Sequence, residues 1–474
     1  MTFPPTPQQS AILDFTRTSS SNLMIRAYAG CGKTSTLELI DSALGPSPKL
    51  LLCFNKAIAV EAASRFRPTT QAKTFNSIGH RIFSDAIPHK TTLNPKKIPE
   101  IFKSITQAAS RGEREQLWKS YDLVLSGVNL ARAIGYIPSA HPKSPKRLST
   151  QSNFTSLLDS PPTPDELALI DRILLESIRL AYLGTIDYSD QIYMPTLFTG
   201  IYPEFPIVLV DEYQDLSPIN QAMVARLTRR ARQIGVGDEA QAIYGFRGAD
   251  ANSMPNAIDR FNMAVFPLSL TFRCPSRIVE NVRWRVPDFE AYTFGGTVNR
   301  FTCKSISNIS NSPSVAVICR NNAPLISLAM RLTLLGRHVD IAGIDIGARL
   351  ITQLTRLGPE SLTQAQTISA IETWESEHSE SKTSRDTAAC LLVFAHQATS
   401  LGGAILYAKH LLSRPGGTIK FMTGHKSKGL EFDHIYHLDN YLLQPIGQDP
   451  NLRYVIDTRT KSRLDYIQTE QLGA

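Results

Sequence analysis

The sequence predicts an α/β protein built on parallel sheets, with helical blocks inserted between the sheet-forming stretches. Three observations predict it. An apolar run, Leu23 to Ile25, leads into the loop Ala27-Tyr28-Ala29-Gly30-Cys31-Gly32-Lys33-Thr34-Ser35, and a helical pattern follows from Ser35 to Leu44. Ile207-Val208-Leu209-Val210 is continuously apolar, as strands buried on both faces are, and ends in the paired carboxylates Asp211-Glu212. Further short apolar runs recur at 49–54, 233–237, 314–319, 419–422 and 434–438, separated by longer stretches that read as helices or loops.

The glycine loop carries the most chemistry. Glycines let backbone N–H groups turn inward around phosphate oxygens, and the helix that follows adds the positive end of its dipole. On this reading Lys33 reaches the β- and γ-phosphates and the Thr34 hydroxyl ligates Mg²⁺. The general motif has two glycines flanking four residues, and here Ala27 takes the place of the first. The plain alternative is a glycine turn before a helix. Asp211 and Glu212 favour the phosphate reading. Two carboxylates at a buried strand end are costly without a cation or a proton. Asp211 is placed to hold Mg²⁺ through water, and Glu212 to polarise an attacking water.

The other elements follow in chain order. Thr6 can cap a helix that opens at Pro7, and the Gln9 amide offers the donor and acceptor that an adenine edge requires; a solvated helix start is the alternative. The strand at 49–54 ends in Phe54-Asn55-Lys56. Together with Thr74 and Phe75, Phe54 and Asn55 form a candidate ligand-facing rim at strand carboxyl ends, although for Phe75 and Ile78 the residues alone favour core packing. Helical patterns occupy 97–134 and 164–184, the second capped by Thr163 with Pro164 at its first position. Between them, 137–162 reads as a long Pro/Ser/Lys-rich loop. The strand at 233–238 leads into a turn in which Gln241 can meet a γ-phosphate, while Tyr244, Phe246 and Arg247 interleave rings and charge, as stacking on unpaired bases requires. A second sheet-forming region begins near Leu268. It has a strand at 314–319, a helix at 322–335, a short strand at 339–341, a helical and charged stretch at 347–413, a strand at 419–422 and a final helix opened by residues 451–459.

Composition sets the remaining bounds. The 474 residues suggest two to four domains. A net charge of +8 and a pI near 9.1 suit a polyanionic partner, or a merely basic protein. Six scattered cysteines with no CxxC pair indicate neither a zinc site nor a disulfide framework. The first residues lack a charged region followed by an apolar one, and no apolar run is long enough to cross a bilayer. These features lead to the expectation of a soluble protein of the bacterial or phage-infected cytoplasm, or of the nucleus.

Taken together, the motifs resemble those of the UvrD/Rep-type superfamily 1A DNA helicases, in the family's order and across nearly the whole chain. The glycine loop looks like the family's first motif, which carries alanine where the general loop has glycine. Asp211-Glu212-Tyr213-Gln214-Asp215 looks like the Asp-Glu-x-Gln-Asp box. Gly237 to Gln241 with Tyr244 to Ala249 is similar to motif III, Thr423 to Phe432 to motif V, and Tyr454-Val455 with Thr458-Arg459 to motif VI. The resemblance is strongest to phage-encoded members and F-box DNA helicases.

The resemblance implies two RecA-like domains. The first would comprise 1–84 and 200–265, with a helical insertion at 85–199. The second would comprise 266–344 and 415–474, with a small helical insertion at 345–414. It also implies roles. Ala29, Gly30, Cys31, Gly32, Lys33, Thr34, Ser35 and Gly429 would bind ATP, with Gln9 reading adenine, Phe272 stacking on it and Glu431 contacting the ribose. Lys33, Asp211, Glu212, Gln241, Arg273 and Arg459 would carry hydrolysis, with Mg²⁺ on Thr34 and Asp211. Phe54, Asn55, Thr74, Phe75, Tyr244, Phe246, Arg247, Thr423 and His425 would line a single-stranded DNA track. The expected activity is ATP-dependent 3′-to-5′ unwinding by a monomer at duplex junctions. The alternative is a DNA-stimulated translocase that strips proteins from DNA. This chain departs from the family pattern in Asn76 where histidine is common, in Phe272 for tyrosine, in Thr460 for alanine, and in the small second insertion.

Overall fold

The structure is a computed structural model that describes residues 4–158, 160–245, 248–300, 305–342, 344–378, 382–412 and 416–472. The chain divides into two compact units. Residues up to Ala27 with Gly32–Leu268 form the first, and Tyr28–Cys31 with the chain from Ser269 form the second.

The first unit contains β1 (Leu23–Ala27), β2 (Lys49–Cys53), β3 (Thr70–Thr74), β4 (Thr92–Leu93), β5 (Thr185–Ile186), β6 (Ile207–Val210), β7 (Arg232–Gly237) and β8 (Ala264–Leu268). Six of these make one all-parallel sheet in the order β3-β2-β6-β7-β1-β8. The apolar runs account for the middle of this order: β2 and β6 are buried at every position. β8 takes the edge beside β1, where Pro267 costs no ladder bond on the outer side. The expected boundary at 265/266 falls inside this strand. Because β2, β6, β7 and β1 are consecutive neighbours, their carboxyl ends bring Phe54, Asp211, Asp238 and the glycine loop to one edge of the sheet.

Between β3 and β6 the chain is largely helical. The pattern at 97–134 resolves into three helices, Lys97–Gln107, Arg111–Lys119 and Tyr121–Ile134, and Pro164–Tyr182 is capped by Thr163 as expected. The stretch at 137–162 is more ordered than a bare loop. It holds a helix, Gln151–Ser156, whose Thr150 caps it and whose Phe154 is fully buried against Tyr136. Pro/Ser-rich composition masked that short helix. Four buried charges tie the block together. Lys97 Nζ lies 2.5 Å from Asp190, and Arg132 Nη1 lies 2.6 Å from Asp187 and 3.5 Å from Asp190.

The second unit contains β9 (Leu270–Thr271), β10 (Glu290–Ala291), β11 (Thr297–Arg300), β12 (Val315–Cys319), β13 (Val339–Ile341), β14 (Ile419–Thr423), β15 (Phe432–Leu438) and β16 (Thr460–Ile467). Six form a second all-parallel sheet in the order β11-β16-β15-β12-β14-β13. Four helices, Ile344–Arg356, Gln364–Glu377, Lys382–Gln397 and Leu401–Leu412, lie between β13 and β14. The helix expected to open at Asn451 runs Asp449–Asp457, and the chain then continues into β16 rather than ending in helix. β16 escaped the sequence pattern because Lys461, Ser462 and Arg463 are exposed and polar, and its buried apolar residues lie only in its second half. Each unit thus carries the parallel sheet of a RecA-like domain. Among the described residues no helix is long and apolar enough to cross a membrane.

Candidate nucleotide-binding and DNA-contacting site

The glycine loop adopts the backbone that its sequence allows. Gly30 and Gly32 both have left-handed φ, at 71° and 79°, and Gly32 caps the helix Lys33–Ala43. A Cβ on Gly30 would stand 2.5 Å from that of Arg273, so glycine is required there for space as well as for conformation. In the second unit, the Ala29 N–H donates to the Tyr454 hydroxyl at 2.9 Å and the Phe272 N–H donates to the Gly30 carbonyl at 3.0 Å. Ala29 and Cys31 are buried, and Ser35 is exposed.

In the first unit, Lys33 Nζ donates to Glu212 Oε2 at 3.0 Å. Burial works against the ammonium, but Glu212, then Asp238 and Asp211, outweigh it, and Lys33 holds its proton above the ordinary range. Burial, and then the neighbouring Glu212 charge, push the Asp211 carboxyl up to about 7. Lys33, the Glu212 N–H and the Thr34 hydroxyl pull it the other way. Glu212 sits at φ 51°, ψ 48°, a left-handed conformation that a non-glycine residue keeps only when its surroundings impose it. Among the described residues, no group of three His, Cys, Asp or Glu side chains could by itself hold a metal ion. Thr34 and Asp211 still fit Mg²⁺. They are hard oxygen donors in contact with each other, and the buried carboxylate lacks a full countercharge.

Glu212 has a second partner. Gln214 Nε2 donates to its Oε2 at 2.6 Å, and Gln214 Oε1 accepts the Asp238 N–H at 2.9 Å. Asp238 in turn accepts from Gln241 Nε2 at 2.5 Å. The sequence motif contains Gln214, but reading the chain in one dimension gave it no site role.

The other expected residues are distributed unevenly. Gln9 is buried, its Oε1 accepting from the Thr6 N–H and its Nε2 donating to Thr36 at 3.0 Å, so both ends of the amide are engaged within the helix start and its neighbour. Phe54 is 41% exposed and stacks on Tyr244 with centroids 5.8 Å apart and planes within 8°. Asn55 and Thr74 cap helices, accepting from the Ile58 and Ser77 N–H groups. Phe75 is corrected by the structure. Thr74 starts the helix, which turns the Phe75 ring into the core, where it is only 5% exposed and unavailable to a base. Asn76 donates to the Tyr188 carbonyl at 2.6 Å. Phe246 and Arg247 lie outside the described residues.

In the second unit Phe272 is 40% exposed and packs against Tyr292 at 5.1 Å, a ring that sequence reasoning missed. The two are brought side by side by the β9–β10 ribbon, whose pairing no sequence period marks. Arg273 is held by Glu431, with Nε 2.7 Å from Oε1, and Lys461 lies 3.3 Å from the other oxygen. Burial opposes ionisation of Glu431, but Arg273 and Lys461 prevail and hold it below the usual carboxylate range. Arg459 is buried, its Nε donating to the Val455 carbonyl at 2.9 Å. Thr423 is buried, His425 is half-buried, and Gly429 has φ 87° with open space around its Cα.

A strand–glycine loop–helix unit facing a strand that ends in two carboxylates, on an all-parallel sheet, defines a P-loop nucleotide-binding domain. The comparison with known families is more specific. Residues 6–262 match the UvrD/REP helicase N-terminal domain, and the chain belongs to that family. The F-box DNA helicase protein 1 of Schizosaccharomyces pombe is 24% identical, over 97% of this chain and 57% of its own length. DNA helicase IV of Escherichia coli is 26% identical, over 55% of this chain and 44% of its own. The RecBCD enzyme subunit RecB of Mycobacterium tuberculosis is 37% identical over 78 residues, 16% of this chain and 7% of its own. The chain thus spans just over half the length of the first relative and less of the others.

Proposed function

We propose that this chain is an ATP-driven motor that moves 3′ to 5′ along single-stranded DNA and unwinds duplex, in replication, repair or recombination. One observation carries the reading. Lys33, Thr34, Asp211 and Glu212 converge on a sheet edge whose neighbouring strand ends also present the exposed ring of Phe54 stacked on the half-buried ring of Tyr244. Nucleotide chemistry and base-stacking surface therefore share one rigid support.

The residues would divide the work as follows. The amides of Gly30 to Thr34 bind phosphate oxygens, with Ala29 and Ser35 flanking them. Lys33 exchanges Glu212 for the β- and γ-phosphates, and the released carboxylate polarises the attacking water. Thr34 and Asp211 hold Mg²⁺, which when bound offsets phosphate charge. Gln241 senses the γ-phosphate, and Arg273 and Arg459 neutralise charge in the transition state. Gln9, Phe272, Gly429 and Glu431 bind the nucleoside. Phe54, Tyr244, Phe246 and Arg247, with Asn55, Thr74, Thr423 and His425, contact the DNA strand. Hydrolysis then advances the strand if the rings grip bases alternately.

The test pairs ATP hydrolysis, with and without single-stranded DNA, with unwinding of 3′-tailed and 5′-tailed DNA and RNA–DNA duplexes. DNA-stimulated hydrolysis with unwinding of the 3′-tailed duplex is expected. Hydrolysis indifferent to DNA would sink the coupling. Stimulated hydrolysis that displaces bound protein but never separates strands would replace unwinding with protein-stripping translocation.

A further inference from the structure

The geometry points to Gln214 as a positioning residue that couples the water-polarising Glu212 to the loop carrying Gln241 and Tyr244. The inference deepens the proposed motor function and rests on it. Gln214 is almost wholly buried. Its amide orientation is fixed by chemistry, because a backbone N–H can only donate and a carboxylate can only accept. The Asp238 N–H at 2.9 Å claims Oε1, which leaves Nε2 facing Glu212 at 2.6 Å. Asp238 then holds Gln241 Nε2 at 2.5 Å and the Ala240 N–H at 3.0 Å through its two carboxylate oxygens. Lys33, Glu212, Gln214, Asp238 and Gln241 thus form one unbroken chain of polar contacts. It runs from the glycine loop to the turn in which Tyr244 stacks on Phe54.

The backbone is shaped around this amide. A Cβ on Gly237 would stand 2.6 Å from Gln214 Oε1 and 3.1 Å from the Gln214 backbone nitrogen, so the last residue of β7 must be glycine for the side chain to lie where it does. When phosphates draw Lys33 away, Gln214 still fixes Oε2 of Glu212 and with it the orientation of the carboxylate. A shift of the loop on the DNA side moves the Asp238 N–H, and through the amide it moves that carboxylate.

Two variants test the link, with single-turnover and steady-state hydrolysis measured against poly(dT) concentration and ATP affinity measured by titration. Gln214→Ala removes both contacts. Gln214→Glu keeps the shape but loses the donor at neutral pH and regains it when protonated. In both, the ratio of DNA-stimulated to DNA-free turnover should fall by roughly tenfold or more, against at most about a twofold change in ATP affinity. In Gln214→Glu the ratio should partly recover as pH falls. A ratio equal to wild type, or one that falls only in step with ATP affinity or with melting temperature, overturns the inference. Wild-type protein that hydrolyses no ATP, or ignores poly(dT), fails the motor reading instead, on a separate arm.

Discussion

At the scale of single residues, the site is a balance of three charges. Lys33 satisfies Glu212 at 3.0 Å, while Asp211 is left partly uncompensated, with its carboxyl pushed up to about 7. On the role proposed for Lys33 at the β- and γ-phosphates, Lys33→Ala should lower hydrolysis by about 100-fold or more. The fold should persist, because Lys33 lies at the rim of the core, and circular dichroism melts with steady-state assays separate the two effects. Asp211 gives a pH signature. Its ordinary value is 3.8, so between pH 4 and 7 the folded chain keeps a proton that the unfolded chain has released. That stabilisation is complete below about 4 and is lost as pH rises through 7. Asp211→Asn, which lacks it, should gain melting temperature relative to wild type between pH 5 and 8. If Asp211 holds Mg²⁺ as proposed, it must be ionised, so Mg-ATP affinity should weaken as pH falls below 7, by up to about tenfold per unit; nucleotide titrations at several pH values check this. Asp211 and Glu212 were legible in the sequence because a buried strand end seldom carries two carboxylates unless a cation or a proton offsets them. Phe54 and Phe75 both follow strands, and the residues alone favour core packing for Phe75 without showing what turns it inward. The difference is local: the Thr74 cap turns Phe75 inward, and β2 ends with Phe54 still outside.

At the scale of elements, continuous apolar strands were legible, and edge or half-polar ones were not. β2, β6 and β12 are buried at every position, and each coincides with an apolar run. β8 alternates exposure and contains Pro267, and β16 has the exposed polar run Lys461-Ser462-Arg463 after its first residue, so neither shows the pattern that marked the others. The helical block after β3 was legible in kind but not in what holds it. Lys97 begins one helix, Arg132 lies in the last turn of another, and Asp187 precedes a third, Asp190–Leu197, which Asp190 opens, yet all four meet inside the block. Burial lowers the Lys97 affinity for its proton, and Asp190 restores part of it. Removing one partner leaves the rest as uncompensated buried charge, which costs about 3–5 kcal/mol. Lys97→Met should therefore lower the unfolding free energy by that amount, read from urea melts. Adding Asp190→Asn to it should recover part of the loss, because the orphaned charge goes too. Equal melts for Lys97→Met and wild type would mean that the quartet contributes nothing net.

At the scale of the whole molecule, the net charge of +8 gives general attraction to a polyanion, but charge alone is indifferent to base and strand. What distinguishes a motor from a basic ATPase is a stacking surface tied to the hydrolysing carboxylates. In the proposed motor the first sheet would supply that tie, since Phe54 follows β2, Glu212 follows β6 and Tyr244 lies in the turn beyond β7, on adjacent strands. The two contributions respond to different perturbations. Phosphate contacts weaken steeply with salt, whereas stacking does not. Phe54→Ala should raise the single-stranded DNA concentration that half-stimulates hydrolysis by roughly 5- to 150-fold, corresponding to about 1–3 kcal/mol per stacked base. Its salt dependence should keep the wild-type slope, because no phosphate contact is lost. An unchanged half-stimulating concentration would assign the Phe54–Tyr244 pair to packing. A shallower salt slope would mean that the variant had disturbed the basic surface as well as the stack.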